Sequence, residues 1–315
     1  MTKSINLFYF FALVTAMALA SCTSKKEEQN NEEKTAEKKV GILFVNHGSR
    51  SETWRKALMD LEAKVKDEIL KDGKIKGTKT AHMEYTEPSI ATRLKEFEKE
   101  GFTDVIVVPV FLTVSPHTFE DIPTIIGQKE DKHSMEMLKI EKIERYTPKF
   151  KTYITPTLDF TVVLEKNVLR RVKSLSVDPA NEGLVLIGYG DETYNREWGQ
   201  LFDRVAKYVN DSTGISAYSY GWCGHIAHYN PDSTTVAINR VLKTKKSAVV
   251  IPVLVAVDEM FQVQIIGDGI EKIKDSKKRV RYKPDSILPD ENVEQWMIDV
   301  SKEYAGKVMA GTVEK

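Results

Sequence analysis

The sequence predicts an α/β protein made of two similar, doubly wound parallel-sheet lobes with a cleft between them. Three observations carry this. Apolar runs of strand length alternate with segments of helical spacing, the order recurs once at a near-constant offset, and 315 residues correspond to about two domains at roughly 150 residues each. Lysine plus arginine (46) cancels aspartate plus glutamate (46), so there is no basic field to recruit DNA or RNA, and a nucleic-acid partner is excluded. Two cysteines, Cys22 and Cys223, exclude a disulfide framework.

The chain opens on an address. Lys3 precedes an apolar run from Leu7 to Ala20, long enough for the core of a secretory signal and too short to span a bilayer comfortably. Residues 1–21 therefore read as a signal peptide. Residues 23–39 contain no large apolar side chain, so 22–39 read as a flexible tether that cannot repay the entropy of folding. The segment Leu19-Ala20-Ser21-Cys22 resembles the lipobox of bacterial lipoproteins. That resemblance implies a lipidated Cys22 as the first mature residue and a protein anchored to a membrane of the cell envelope, on the periplasmic face or the outer surface.

The first lobe, residues 40–150, begins with Val40 to Val45, a continuous apolar run expected of a strand buried on both faces. After His47-Gly48-Ser49, the residues Trp54, Ala57, Leu58, Leu61, Val65 and Ile69 recur at helical spacing. Further strands are predicted at Lys79 to Tyr85, Val105 to Leu112 and around Met137 to Ile143, with a helix from Pro88 to Lys99. Residues 151–180 should hold a helix, Leu158 to Leu175, that bridges the halves. The second lobe, 181–315, repeats the plan in degenerate form and closes with a helix from Val293 to Val308. The run from Gly183 to Gly190 echoes that from Gly41 to Gly48 at an offset of 142, and Pro252 echoes Pro109 at 143. At the second offset Pro231 falls on Pro88 and His225 on His82. One residue of drift marks a duplicated module.

In open parallel sheets, ligands bind beyond the carboxyl ends of the strands. The first lobe places His47, Glu84 to Glu87 and His117 there. Two imidazoles and a carboxylate suit cobalt, nickel, iron or zinc, and suit calcium or magnesium poorly.

Three segments, Asn46-His47-Gly48-Ser49-Arg50, Met83-Glu84-Tyr85-Thr86-Glu87-Pro88-Ser89-Ile90, and Val108-Pro109-Val110-Phe111-Leu112 leading to His117-Thr118-Phe119-Glu120-Asp121-Ile122-Pro123, together resemble the CbiX-type sirohydrochlorin cobaltochelatases, ferrochelatase-like class II chelatases. The resemblance implies two flavodoxin-like halves and insertion of Co²⁺ into sirohydrochlorin, a tetrapyrrole, in cobalamin biosynthesis. It implies no cofactor beyond the substrate metal, with Ni²⁺ or Fe²⁺ served by the same ligands. His47 and His117 carry over as the metal-holding, catalytic histidines, and Glu84 as the carboxylate that joins them. Substrate carboxylates call for donors, and Arg50, Thr118 and the N–H groups after Ser49 are candidates. Ser49 also reads simply as an N-cap, and Glu87 joins the substrate-binding set as the motif's second carboxylate.

The second lobe departs from the pattern. Tyr189, Asp191 and Met260 stand at positions equivalent to 47, 49 and 117, so this lobe reads as a wall of the cleft. Tyr189 offers a ring to stack on or ligate a tetrapyrrole from the opposite side. Asp258, Glu259 and Gln264 read as loop polar residues. His225 is expected to be packed or hydrogen-bonded, on a strand end opposite His228, a cleft candidate. Cys223 is expected to be a buried free thiol, and His82 and His133 structural or surface residues. The rival to an enzyme is an envelope lipoprotein that binds haem, another tetrapyrrole or a metal ion without turnover. The sequence leaves the oligomeric state open.

Overall fold

The computed structural model describes residues 37–112, 115–158 and 162–313. The signal peptide, Cys22 and nearly all of the tether lie outside them. Strand β1 (Val40–Asn46) is followed by helix α1 (Glu52–Leu70), β2 (Ile75–His82), α2 (Ile90–Lys99), β3 (Asp104–Pro109), a π-helical turn at His117–Asp121, α3 (Ile122–Ile125), α4 (Lys132–Glu141) and β4 (Lys151–Ile154). All pairings in the first sheet are parallel, in the order β2-β1-β3-β4. Helix α5 (Val163–Leu175) leads to β5 (Glu182–Gly188), α6 (Asn195–Thr213), β6 (Ala217–Trp222), α7 (Asp232–Leu242) and β7 (Ser247–Val253). Helices α8 (Gly267–Glu271) and α9 (Ser276–Arg279), strand β8 (Val280–Tyr282) and helix α10 (Glu291–Ala310) complete the chain. The second sheet runs β6-β5-β7-β8, also parallel.

The duplication seen in the sequence is a duplication in register. Val45 pairs with Pro109 in the first sheet, and Ile187 with Pro252 in the second, positions related by the offsets of 142 and 143. Strands β1, β3, β5 and β7 are buried almost throughout, as central parallel strands must be when helices cover both faces.

One strand is misplaced by the sequence reading. Residues around Met137 to Ile143 form the end of α4 and the turn after it, and the fourth strand is β4. The Asp131 carboxylate accepts the Ser134 N–H to start the helix, and Lys142 ends it in the left-handed conformation. Leu138 is buried while Ile140 is 71% exposed, so the apolar residues serve a one-sided helix. Residues 151–180 therefore begin with a strand of the first sheet before the bridging helix.

The two long helices that follow the sheets are exchanged. Helix α5 leaves the first sheet and packs on α6 and β7 of the second lobe. Helix α10 follows the second sheet yet packs on α1 and β3 of the first, which moves the closing helix out of the lobe that the sequence assigned it to. Arg171 on α5 is buried and paired with Asp285, and its Nη1 donates to the Pro252 carbonyl at 2.8 Å. Val293, Trp296, Met297 and Val300 of α10 lie in one apolar cluster with residues of both sheets. At about 1.5–3 kcal/mol for each buried side chain, undocking α10 would cost as much as the whole net stability of a typical domain, about 5–15 kcal/mol.

Candidate metal centre

The site is built where β1, β2 and β3 end. Beyond β1 and β2 the two loops stay zipped, the Met83 N–H donating to the Asn46 carbonyl at 2.8 Å and the Glu84 N–H to the His47 carbonyl at 2.9 Å. Asn46 is buried, and its Oδ1 accepts from the Gly48 N–H at 3.0 Å and lies 2.7 Å from His82 Nδ1. His82 is thus a structural residue that braces the loop. Gly48 has φ +87°, and a Cβ there would lie 2.2 Å from the Glu84 carbonyl oxygen, so only glycine lets the loops meet. His117 opens the π-helical turn, a distortion that recurs at functional sites.

These loops gather the three residues expected to hold the metal. The His47 and His117 rings meet edge to face with centroids 4.8 Å apart. His47 Nε2 is 3.9 Å from Glu84 Oε2, and one ligand atom from each of the three residues lies within 4.8 Å of the other two. Ligands held at about 2.1 Å around a tetrahedral ion lie about 3.4 Å from one another, so side-chain adjustments of about an ångström close the triad on a metal. His117 Nδ1 faces Asp121 Oδ2 at 2.8 Å, which fixes the ring and leaves Nε2 for a metal. Replacing Asp121 with alanine should weaken Co²⁺ binding about ten- to a hundredfold while leaving the far-ultraviolet circular dichroism unchanged; calorimetric titration with Co²⁺ checks this.

The two imidazoles titrate apart. Burial and then the His117 imidazole push the His47 pKa down to about 4. Burial lowers that of His117 too, but the hydrogen bond and charge of Asp121, with help from Glu84 and Asp191, outweigh it and raise the pKa above its ordinary value. Burial also raises the Glu84 carboxyl. Behind the triad lies a cavity of about 160 Å³ lined by Glu84, His117, Asp121, His133 and Glu141 among others.

The remaining predicted residues fall around this centre. The Arg50 guanidinium is exposed and lies 5.4 Å over the Tyr85 ring, which sits 5.8 Å from that of His47. The N-cap of α1 is Ser51, not Ser49. The Ser49 hydroxyl accepts the Ser51 N–H at 3.0 Å and reaches Asp258 of the second lobe at 3.4 Å. Glu87 is exposed and turned to the start of α2, where its Oε2 accepts the Ser89 N–H at 2.6 Å. Thr118 is buried, and its hydroxyl has no partner among the described residues, so it is not a surface donor to substrate. Cys223 is a buried thiol whose pKa burial raises to about 12. His225 lies on a 3-10 turn and not on a strand end; it is hydrogen-bonded, as expected, but exposed. Glu141 and Tyr85 were not foreseen, Glu141 because its helix was read as a strand. Asp121 had a readable signal, four residues after His117 on a helical turn.

A two-lobed α/β protein with two imidazoles and a carboxylate closed on one cation-sized gap belongs, by fold and site, among chelatase-like proteins. The comparisons with known proteins agree. The CbiX family model matches residues 41–175. A sirohydrochlorin cobaltochelatase of Methanocaldococcus jannaschii is 37% identical over 92 residues, 29% of this chain and 62% of that protein. One from Methanosarcina barkeri is 30% identical over 93 residues, 30% of this chain and 68% of the relative. The chain belongs to the CbiX family. It spans about three-fifths of the length of the curated relatives that it matches first (62%, 64% and 57%). The structure of SirB from Bacillus subtilis with Fe³⁺ superposes with TM-score 0.63 at 19% identity, covering 86% of this chain and 98% of that one, a likeness of fold.

Proposed function

We propose that this protein inserts a divalent metal, Co²⁺ foremost, into sirohydrochlorin. The observation that carries the reading is the triad of His47, Glu84 and His117, whose ligand atoms lie within 4.8 Å of one another. Metallation exchanges one M²⁺ for the two pyrrole protons of the macrocycle. Two imidazoles and a carboxylate replace part of the ion's water shell, and basic groups beside the ion take up what the pyrroles release. His47, neutral throughout the physiological range, binds metal without first losing a proton. The His117–Asp121 pair is better suited to receive one. The choice of cobalt rests on the names of the sequence relatives; Ni²⁺ and Fe²⁺ suit the same donors.

The test is to mix the full-length chain with sirohydrochlorin and Co²⁺ and follow the absorption change of metallation. A rate well above the spontaneous one is expected, and none above it overturns the reading. The pH dependence has a defined sign. His117 keeps its proton to higher pH than free imidazole, so protons compete with metal above about pH 6.5. That competition fades as pH rises, so initial rates should climb as pH is taken through and above the ordinary imidazole range; a falling profile would contradict the assignment.

The proposal includes the envelope location. Cys22→Ser should move the protein from the membrane to the soluble fraction, read by immunoblot of fractionated cells. This address favours a second reading, since cobalamin precursors are made in the cytoplasm: capture of haem, another tetrapyrrole or a metal ion without turnover. Tight haem binding with no acceleration of metallation would select it.

A further inference from the structure

The second lobe has lost the ligands but kept the loops that carried them. Gly190 has φ +84°, matching Gly48 at +87°, and Tyr189 takes the place of His47. Tyr85 and His228, equivalent by the duplication, are both left-handed, with φ 68° and 48°. Tyr229 follows at 58°, so two consecutive non-glycine residues hold a conformation that costs about 1–3 kcal/mol each. Such strain gathers where a side chain must be aimed.

What is aimed is a set of aromatic rings. The Tyr189 and Tyr229 hydroxyls are 3.2 Å apart, and Tyr229 Oη is 3.1 Å from His225 Nδ1. The Tyr189 ring meets those of His225 and Phe261 edge to face, with centroids at 5.4 and 5.5 Å. Tyr229 is nevertheless 38% exposed, and His225 is exposed beside it. The two lobes meet beside the metal centre: the Phe119 ring, two residues after His117, lies 6.0 Å from that of Tyr194 in the second lobe, five residues after Tyr189. The contact between Ser49 and Asp258 ties the same two rims.

We infer that Tyr189, Tyr229 and His225 form the second wall of the substrate site, a hydrogen-bonded aromatic platform for the face of a planar macrocycle turned away from His47 and His117. The inference rests on the chelatase reading and deepens it. A flat conjugated ring gains from stacking and edge contacts with aromatic faces, and the Tyr229 hydroxyl and His225 imidazole can donate to a peripheral carboxylate. One lobe thus holds the ion and the other the ring.

The experiment separates the two functions in the full-length chain. Metal-free sirohydrochlorin is titrated by absorption, and Co²⁺ separately by calorimetry, for wild type, Tyr229→Ala, His225→Ala, Tyr229→Phe and His47→Ala. Tyr229→Ala and His225→Ala should weaken macrocycle binding about tenfold and leave the Co²⁺ Kd within about twofold. His47→Ala should do the reverse. Tyr229→Phe, which keeps the ring, should fall between wild type and Tyr229→Ala, and because it cannot disturb the fold by leaving a void, it guards against misfolding as the cause. If wild type binds and metallates sirohydrochlorin but the second-lobe variants bind it equally well, the platform is wrong and the chelatase reading stands. If wild type neither binds nor metallates it, both fall.

Discussion

His117→Ala should abolish Co²⁺-dependent metallation, with a loss of at least about a hundredfold, since removing a ligand exceeds the ten- to hundredfold cost of removing a group that only orients one. His47→Ala should do the same. Both rings are only partly buried, and neither lies in the apolar clusters of the core, so thermal unfolding should be little changed. Initial rates at saturating sirohydrochlorin, with Co²⁺ varied, check the prediction. If both variants metallate at wild-type rates, the triad is not the site. The double variant should lose little more than either single one, because a two-ligand remnant already fails to hold the ion and groups that act as a unit are not additive.

Gly48→Ala should damage both fold and activity. The new methyl would need a left-handed backbone and would meet the Glu84 carbonyl at 2.2 Å, with no flexible side chain to give way. Strain of about 1–3 kcal/mol adds to a backbone displacement, so a loss of about 3 kcal/mol is expected. Chemical denaturation measures it. The loop that must move carries Glu84 itself, so Co²⁺ affinity should fall together with stability. Unchanged affinity would mean that the loop junction does not position the carboxylate.

The arrangement of strands was legible because central parallel strands are buried on both faces and read as uninterrupted apolar runs, as in Val40 to Val45 and Val249 to Val253. The ligands were legible for a related reason: strand ends are the positions that a doubly wound sheet brings together, so His47, Glu84 and His117 could be named as neighbours although far apart in sequence. Glu141 was hidden, because Met137, Leu138 and Ile140 are too short an apolar stretch to tell helix from strand by periodicity. The partnership of Asp121 with His117 was readable as a four-residue spacing, while the π-helical form of the turn that carries it shows only in the structure. Ser49 and Ser51 both precede the helix, and only the backbone shows which one caps it. Of the aromatic wall, Tyr189 was legible by alignment with His47, and His225 is hydrogen-bonded as expected but sits on a 3-10 turn after β6 and not on a strand end. The partner of α10 is a matter of packing between segments about 190 (β3) to 240 (α1) residues apart, where local pattern is silent.

The swapped covering helices bear on how the protein comes to exist. A nascent chain emerges from its N-terminus, so the lobe that gathers the imidazoles is synthesised first. Its β3 and α1, however, wait for a helix made well over 150 residues later, Glu291–Ala310, before their apolar surface is sealed. A ribosome stalled before that helix would display a metal-binding lobe that is complete in sequence and open on one flank, so competence to grip an ion should arrive only once α10 has been made and has docked.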